Sequence, residues 1–392
     1  MGLSVSQSNN ATAEVAAAVW PLIRIATVKG AWGAKTPQNN TGFSTPWTAV
    51  DKNVGGFSGL CYYFGRNMFL GLGGKTPVGL VEQAVGGTYI ESFMPPTSMA
   101  QCNTTGTMPA GWKGAPPRKA GGAPYDPWGA QNQPAALWNS MISPLLTLTF
   151  KLAIFDQAEH NLATREAAKF RCLQDKMVEA WRTAMHNPDL SYHLVQLPSY
   201  NMSEYTWIYI DPLGEMRLSQ SDTDLDLNGT TTTVTIDLAD IHSPFGSVHN
   251  RQKQEVGRRV ALNALSSTYG LKLNTGPTFE AAARLPDSSN RIVLTIATGA
   301  TGAGQYNGSH DCVQCCTQSS FEGTADGETW LRLTPKGAPV VGKRGTGTVE
   351  LTLGHRALSG MKRVRFGYDA LVQCPYFDGD GLPLAPFQAT LA

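Results

Sequence analysis

Three polar clusters in this chain each follow a short apolar or strand-like segment. In chain order, the segments and their clusters are residues 78–81 before 85–91, 152–155 before 157–161, and 233–238 before 243–249. A short apolar run that ends in polar residues is typical of a buried strand in a parallel sheet. The carboxyl ends of such strands meet at one edge of the sheet, where sites assemble. The spacing therefore predicts an α/β fold in which the three clusters converge.

A fourth polar cluster, Ser6-Gln7-Ser8-Asn9, stands near the start of the chain, before an alanine-rich segment that predicts a helix over residues 10–19. A serine there lies beside the unpaired N–H groups and positive dipole end of a helix, which favour developing negative charge. Serine and asparagine are also ordinary helix caps, so this segment alone fits either interpretation. Combined with a glycine N–H, an asparagine amide and a histidine, it would supply a nucleophile, oxyanion donors and a general base.

These blocks resemble, in order, those of the sialate O-acetylesterase family of the SGNH hydrolase superfamily. The family's GQSNM, WGGTxIE, YQGESN and SPFGSIHPRxKQ-like blocks stand here as SQSNN (6–10), VGGTYIE (85–91), DQAEHN (156–161) and SPFGSVHNRQKQ (243–254). Further likeness lies at residues 137–145, 181–182, 195–197, 253–259 and 381–387. The resemblance covers nearly the whole chain, and the ordered agreement is far more specific than any single block.

The resemblance implies a role for each matching residue. Ser8 is the expected nucleophile and His249 the expected general base. The expected oxyanion donors are the Ser8 backbone N–H, an N–H of Gly86 or Gly87, and the Asn161 side chain. Gly86 and Gly87 also fit a tight strand-to-loop turn, and the two interpretations are compatible.

The carboxylate that would orient His249 is less determined. Many SGNH enzymes place an aspartate three residues before the histidine, where this chain has Gly246. Asp240 is the first candidate by resemblance and Asp237 the second. A backbone carbonyl could also hold the imidazole tautomer. His160 stands where the family has serine and is interpreted as a non-catalytic residue.

Several site positions depart from the family pattern. They are Ser6, Asn10, Asp156, Ala158, His160 and Asn250. Ala158 replaces a glycine, and a requirement for positive φ there would shift the loop that carries Asn161. A displacement near 1 Å in a catalytic group can cost on the order of a hundredfold in rate.

The pattern of elements changes at about residue 270. Helices are predicted at residues 10–19, 161–184 and 252–267, and strands at residues 291–296, 348–353 and 363–368. The Gly- and Pro-rich segment 104–134 is predicted to be a surface insertion. We expect an SGNH-type three-layer αβα catalytic domain over residues 1–270. A small β-sandwich is expected over residues 271–392.

Charge and hydropathy narrow the function classes. The net charge is +1 with no basic block, which argues against a nucleic-acid partner, and the apolar stretch 145–155 is interrupted by Lys151 and too short to span a membrane. No metal or organic cofactor is expected. An acetylated sugar substrate is implied by the resemblance, while the oligomeric state is open.

Compartment is implied mainly by the resemblance, which points to a secreted or lysosomal glycoprotein. Sequons occur at Asn10, Asn103, Asn201, Asn228 and Asn307, and seven cysteines leave at least one unpaired. For Cys312, Cys315 and Cys316, disulfides are favoured over zinc because no second ligand pair follows at zinc spacing. Residues 1–5 provide only half of the strand expected before Ser8, so we interpret the chain as lacking the family's N-terminal region, signal peptide included.

The predicted function is removal of acetyl esters from sialic acid or a related glycan, by Ser–His catalysis through an acyl-enzyme. Two alternatives remain open. One is a catalytically decayed glycan-binding homologue, and the other is an acetylesterase acting on plant-type polysaccharides.

Overall fold

The structure is a computed structural model of the chain. It describes residues 2–29, 34–39, 42–103, 129–164, 167–204, 213–284, 291–299, 305–306, 318–335, 340–341, 348–354 and 360–392.

Helices and strands alternate through the first 270 residues, and strands predominate afterwards. The helices are α1 (Ala11–Ala17), α2 (Gly59–Gly71), α3 (Pro96–Ala100), α4 (Ala167–Ala184), α5 (Leu213–Asp226) and α6 (Lys253–Ser267). The strands are β1 (Trp20–Val28), β2 (Phe43–Val50), β3 (Val78–Glu82), β4 (Leu152–Asp156), β5 (Ser191–Val195), β6 (Thr230–Thr233), β7 (Thr278–Arg284), β8 (Arg291–Ala297), β9 (Gln305–Tyr306), β10 (Phe321–Thr324), β11 (Leu331–Pro335), β12 (Val340–Val341), β13 (Thr348–Gly354), β14 (Arg363–Phe366), β15 (Tyr376–Phe377) and β16 (Phe387–Thr390).

Two three-stranded sheets form the middle layer of the αβα part. One has the order β2-β1-β3, with β3 parallel and β2 antiparallel to β1, and the other has the fully parallel order β4-β5-β6. Helices α2 and α6 pack together with β1 and β3 in one apolar core. Helices α4 and α5 pack together, and α4 contributes to a second core that includes residues of β4 and β5. The predicted α/β class with a parallel sheet is confirmed.

The predicted elements agree with the structure where local periodicity is strong. The helix predicted over 252–267 is α6, while the one predicted over 161–184 is divided into a 3₁₀ turn (His160–Thr164) and α4. The prediction of a strand over residues 233–238 was wrong in its bounds. Strand β6 ends at Thr233, and the Leu238 N–H donates to the Thr235 carbonyl in a turn.

An antiparallel sheet occupies the C-terminal part. Its strands follow the order β16-β14-β10-β11-β13-β8-β7. The sheet curls until its two ends meet, because the Ala392 N–H donates to the Ala282 carbonyl and the Arg284 N–H to the Ala392 carbonyl. Its inner face has a separate apolar core. The predicted β-rich C-terminal layer is confirmed, and the division into two domains at residue 270 stays a prediction.

The described cysteines include one disulfide, between Cys102 and Cys172, and one free thiol, Cys61. Cys312, Cys315 and Cys316 lie outside the described residues, as does most of the predicted insertion 104–134. Within the described ranges, no helix is long and apolar enough to cross a bilayer, and no group of three ligating side chains could hold a metal ion.

His193 on β5 makes the stability of this fold sensitive to acid. The ring is buried, with Nδ1 2.7 Å from Thr231 Oγ1 and Nε2 3.2 Å from Thr268 Oγ1, and burial lowers its pKa to about 4. An unfolded histidine titrates near pH 6.5, so the unfolded state binds the proton first as pH falls. The stabilisation is complete above about pH 6.5 and is lost as pH falls towards about 4, by roughly 3 kcal/mol.

We therefore expect that His193→Gln lowers stability at pH 7 but removes most of the loss between pH 7 and 4.5, as measured by urea unfolding. His242→Asn is the matched control, since His242 is exposed and makes none of the His193 contacts, and the loss of stability between pH 7 and 4.5 should persist in this variant. An unaltered slope in His193→Gln would contradict this assignment.

Candidate active site

A cavity of about 1660 Å³ lies in the sheet layer between β3 and β4. At the carboxyl ends of these strands its wall is formed by three loops, those that follow β3 and β4 and the loop before α6. They contribute Gly86, Gly87, Gln157, His160 and His249, among others. Residues from three of the four sequence blocks thus share one end of one cavity, as the parallel strands predict.

Ser8 lies on a short connection that is hydrogen-bonded to the loop before α6, and it is not among the residues that line the cavity. It follows a 3₁₀ turn (Val5–Gln7) and precedes α1 by two residues, so the serine is not itself the helix cap. The side chain is buried, and its Oγ donates to the Ser4 carbonyl at 3.1 Å. A Cβ on Gly59 would lie only 2.8 Å from this Oγ, so the close approach of α2 to Ser8 requires glycine. The Ser8 backbone N–H, a predicted oxyanion donor, donates to the Val5 carbonyl at 3.1 Å.

Hydrogen bonds connect the Ser8 segment to the loop that carries His249. The Asn9 N–H donates to the Arg251 carbonyl at 2.9 Å, and the Gln254 side chain donates to the Asn9 carbonyl. These contacts hold two segments together that are about 240 residues apart in sequence. They bring the serine block and the histidine block side by side.

His249 is half-buried and faces the cavity. Its Nδ1 lies 2.8 Å from the Phe245 carbonyl oxygen, four residues earlier in the same loop. A carbonyl can only accept, so this contact places the proton on Nδ1 and leaves Nε2 as the basic nitrogen.

The structure does not bring Asp240 to His249, which corrects the predicted orienting role. Both Asp240 oxygens are engaged by Arg251, with Nε at 2.6 Å and Nη2 at 2.8 Å. Partial burial opposes ionisation, but the Arg251 hydrogen bonds hold the pKa of Asp240 below its usual range. The second candidate, Asp237, forms a bidentate pair with the buried Arg259 at 2.7 Å. Both carboxylates are thus paired with arginine guanidinium groups, and the His249 imidazole is hydrogen-bonded to the Phe245 backbone carbonyl instead.

Asn161 is fully buried within a hydrogen-bond network. Its Oδ1 accepts from the Ile90 N–H at 3.1 Å and from Gln157 Nε2 at 3.0 Å, and its Nδ2 donates to Glu91 Oε2 at 2.9 Å. Gln157 also donates to the Thr88 carbonyl at 2.6 Å. The network joins the loops after β3 and β4, and Asn161 does not reach the cavity wall. The predicted brace Glu159 does reach it, and burial raises the pKa of its carboxyl group.

Gly86 and Gly87 are exposed at the cavity mouth, as expected for groups that would meet a ligand. Gly87 has a φ of +68°, a conformation that an L-residue rarely adopts, and its carbonyl accepts from Asn132 Nδ2 at 2.7 Å. His160 lies between Gly87 and Tyr89, its ring centroid 4.8 Å from that of Tyr89.

Two groups near the serine, Tyr63 and Lys253, were not assigned a role from the sequence. Tyr63 hydrogen-bonds to Ser8, and burial, followed by the nearby Glu14 charge, raises the Tyr63 pKa to about 12. The buried Lys253 Nζ lies 3.9 Å from Asp156 Oδ2, and Asp156 also interacts electrostatically with His249. Lys253 is the first residue of α6 and is buried there.

Comparison with known proteins identifies the class first. The fold is similar to that of a carbohydrate acetylesterase from Xanthomonas citri, with a TM-score of 0.77 and 24% identity, over 99% of this chain and 78% of that one. No family model matches the chain. The two proteins share an αβα fold followed by a β-rich layer.

Sequence similarity then identifies the relatives. The chain is 29% identical to the human sialate O-acetylesterase over 291 residues and 30% identical to the mouse protein over 307 residues, covering 69% of this chain. It is a homologue of the sialate O-acetylesterases, and the resemblance of the sequence blocks is confirmed. The chain spans about half the length of these relatives, 52% and 55% respectively.

Ala158 stores backbone strain at the centre of the site. It is fully buried in the loop after β4, with a φ of +143°. A non-glycine residue in such a conformation costs on the order of 1–3 kcal/mol. Position 158 therefore has a positive φ, which is the condition under which we expected alanine to shift the loop that carries Asn161.

We expect Ala158→Gly to raise the free energy of unfolding by about 1 kcal/mol, since relief of strain exceeds the added entropy of the unfolded chain. Chemical unfolding measures the change. Ala26→Gly, in the buried strand β1, is the matched control and should lose about 0.5–1 kcal/mol. Equal losses in both variants would mean that Ala158 is unstrained.

Proposed function

We propose that this protein is a carbohydrate O-acetylesterase with Ser8 as nucleophile and His249 as general base. The observation that carries the proposal is the hydrogen-bonded contact between the Ser8 segment and the loop whose His249 lines the cavity together with Gly86 and Gly87. The sialate O-acetylesterase relatives and the acetylesterase fold support the reaction class.

The chemistry follows from the tautomer of His249. Nε2 accepts the Ser8 proton as Oγ attacks the acetyl carbonyl, and the Phe245 carbonyl keeps the second ring proton on Nδ1. The imidazolium then protonates the leaving sugar hydroxyl, and an acetyl-serine remains. Water, activated by the same nitrogen, releases acetate and restores the serine.

Attack requires a local rearrangement of the serine. The Ser8 hydroxyl must turn away from the Ser4 carbonyl and towards His249 Nε2. The Ser8 backbone N–H now donates to the Val5 carbonyl, and it would have to give up this hydrogen bond in order to donate to the oxyanion. Donors at Gly86 and Gly87 need no such change, because these residues already lie at the cavity mouth. We assign them the main part of oxyanion stabilisation, which for one donor is typically about 3 kcal/mol. Asn161, from its buried position, supports the loop after β3 and holds the glycines in place.

The substrate we propose is an O-acetylated sialic acid or a related glycan, and the route is secretory or lysosomal. The Cys102–Cys172 disulfide supports that route, since disulfides persist in oxidising compartments. A glycan-binding homologue without turnover is the second candidate. The burial of Asn161, the strain at Ala158 and the engaged Ser8 N–H favour it.

Labelling with a fluorophosphonate probe distinguishes the two candidates. We expect Ser8 to be modified and Ser8→Ala to lose both label and turnover of an aryl acetate. Ser6→Ala is the matched control, because Ser6 lies two residues away and is exposed. Labelling that persists in Ser8→Ala, or no labelling and no turnover in the unaltered chain, would sink the esterase proposal.

A second experiment distinguishes a Ser8–His249 pair oriented by the Phe245 carbonyl from a catalytic group that includes the Asp240 carboxylate. His249→Ala should abolish turnover, and in the unaltered chain turnover should fall with acidification, because protonated imidazole cannot accept the serine proton. Asp240→Asn should keep turnover within a few-fold and mainly lower the thermal midpoint, since its partner is Arg251. Loss of turnover in Asp240→Asn at an unchanged thermal midpoint would mean that the Asp240 carboxylate takes part in catalysis.

A further inference from the structure

The Ser8 hydroxyl belongs to a chain of hydrogen bonds that ends at groups of fixed direction. Its Oγ lies 3.1 Å from the Ser4 carbonyl oxygen, and the Tyr63 hydroxyl is hydrogen-bonded to the Ser8 side chain. The Tyr63 oxygen in turn lies 3.3 Å from Gln254 Nε2. The chain therefore runs from a side-chain amide, through two hydroxyl groups, to a backbone carbonyl.

The two ends of this chain determine the direction of every hydrogen bond in it. Gln254 Nε2 can only donate, so the Tyr63 oxygen accepts from it. The same Gln254 amide donates to the Asn9 carbonyl, which requires the same orientation of its nitrogen. A carbonyl can only accept, so the single Ser8 hydroxyl proton points to Ser4. The Tyr63 proton is therefore donated to Ser8 Oγ, the atom that the proposed reaction uses as nucleophile.

Tyr63 keeps its proton at any pH near neutral. Its side chain is fully buried, and burial, followed by the nearby Glu14 charge, raises the Tyr63 pKa to about 12. Ser8 is buried as well, and Gly59 approaches it so closely that a Cβ there would lie 2.8 Å from Oγ. The packing thus leaves little room for water to replace the phenol as the donor to Oγ.

The packing of three helices fixes the position of the phenol. A Cβ on Gly257 of α6 would lie 2.7 Å from Tyr63 Cβ and 2.7 Å from the Phe64 backbone nitrogen, so α6 is in close contact with α2 at this glycine. The Arg66 guanidinium lies 5.0 Å from the centroid of the Tyr63 ring and is paired with Glu14 of α1 at 2.5 Å. A donor that is already fixed in place costs no reorganisation at the moment of reaction.

A donor to Oγ favours both halves of the proposed reaction. In acylation Oγ forms its bond to the acetyl carbon while its proton passes to His249 Nε2, and partial negative charge builds on Oγ. In deacylation the bond between that carbon and Oγ breaks, and Oγ takes the electron pair of the bond and a proton from His249. Hydrogen bonds to a charged acceptor are stronger than those to a neutral one. The Tyr63 hydrogen bond therefore strengthens in both steps, while Tyr63 keeps its own proton.

We propose that Tyr63 is a catalytic hydrogen-bond donor to Ser8 Oγ, oriented by Gln254, and that it lowers the barriers to acylation and deacylation. The inference rests on the proposed esterase function, because it assigns Tyr63 a role in that reaction. The neighbouring residue of α2 provides a matched control. Tyr62 is equally buried, and its hydroxyl accepts from Trp20 Nε1 at 3.2 Å.

Replacement of each tyrosine by phenylalanine tests the proposal, since each variant loses one buried hydroxyl group. We expect Tyr63→Phe to slow fluorophosphonate labelling of Ser8 at least tenfold. It should lower kcat for an aryl acetate by a similar factor, with KM within twofold. Tyr62→Phe should keep the labelling rate and kcat within twofold. The thermal midpoints of both variants separate a loss of folding from the loss of the donor.

A donor of altered strength keeps the test decisive if Tyr63→Phe does not fold. 3-Fluorotyrosine at position 63, introduced by amber suppression, keeps the hydroxyl group but is a more acidic phenol and a stronger donor. It should speed up labelling of Ser8 at least twofold. An unchanged or faster rate in Tyr63→Phe, or an unchanged rate with 3-fluorotyrosine, would overturn the proposal and leave the esterase function standing. No labelling and no turnover in the unaltered chain would overturn both.

Discussion

Parallel pairing of short strands is the constraint on which the rest of this molecule depends. Strand β3 runs parallel to β1, and β4 runs parallel to β5 and β6. The loops that follow β3 and β4 line the same cavity. No single loop contains a complete site. Gly86 and Gly87 follow β3, His160 follows β4, and His249 lies on the loop before α6. Strand direction makes these separate segments neighbours.

A small number of buried polar contacts then fixes the loops relative to each other. The Asn161 amide connects the Ile90 N–H, Glu91 and Gln157, and thus two strand ends. The Asn9–Arg251 backbone hydrogen bond connects the serine segment to the histidine segment. Buried hydrogen-bond networks rigidify the segments that they join, although Gln157 Oε1 has no hydrogen-bond partner among the described residues. The positive φ of Ala158 has an energetic cost, so the loop after β4 is strained at this residue.

The interruption between β3 and β4 links the architecture to the candidate chemistry. Two apolar cores, one around α2 and α6 and the other around α4, hold the two half-sheets from outside. The cavity that His249, Gly86 and Gly87 line lies in this interruption.

The sequence alone determined the features that depend on local pattern. Apolar runs at 78–81 and 152–155 became β3 and β4, helical periodicity at 252–267 became α6, and the order of the four blocks predicted both the fold class and the relatives. The resemblance to the family block also marked Ala158 as a position where glycine would be expected, and its φ is positive. These properties follow from side-chain period and backbone sterics within a few residues.

Tertiary structure decided what depends on competition between distant groups. Asp240 and Asp237 were both plausible partners of His249, but Arg251 and Arg259 bind them, and the Phe245 carbonyl takes the imidazole. Asn161 is turned into a buried network, Cys102 pairs with Cys172, and strand β6 ends where its neighbour β5 ends. A carboxylate, an amide or a thiol is defined by its nearest partner in space. That partner is set by the packing of whole elements, which the order of residues does not specify.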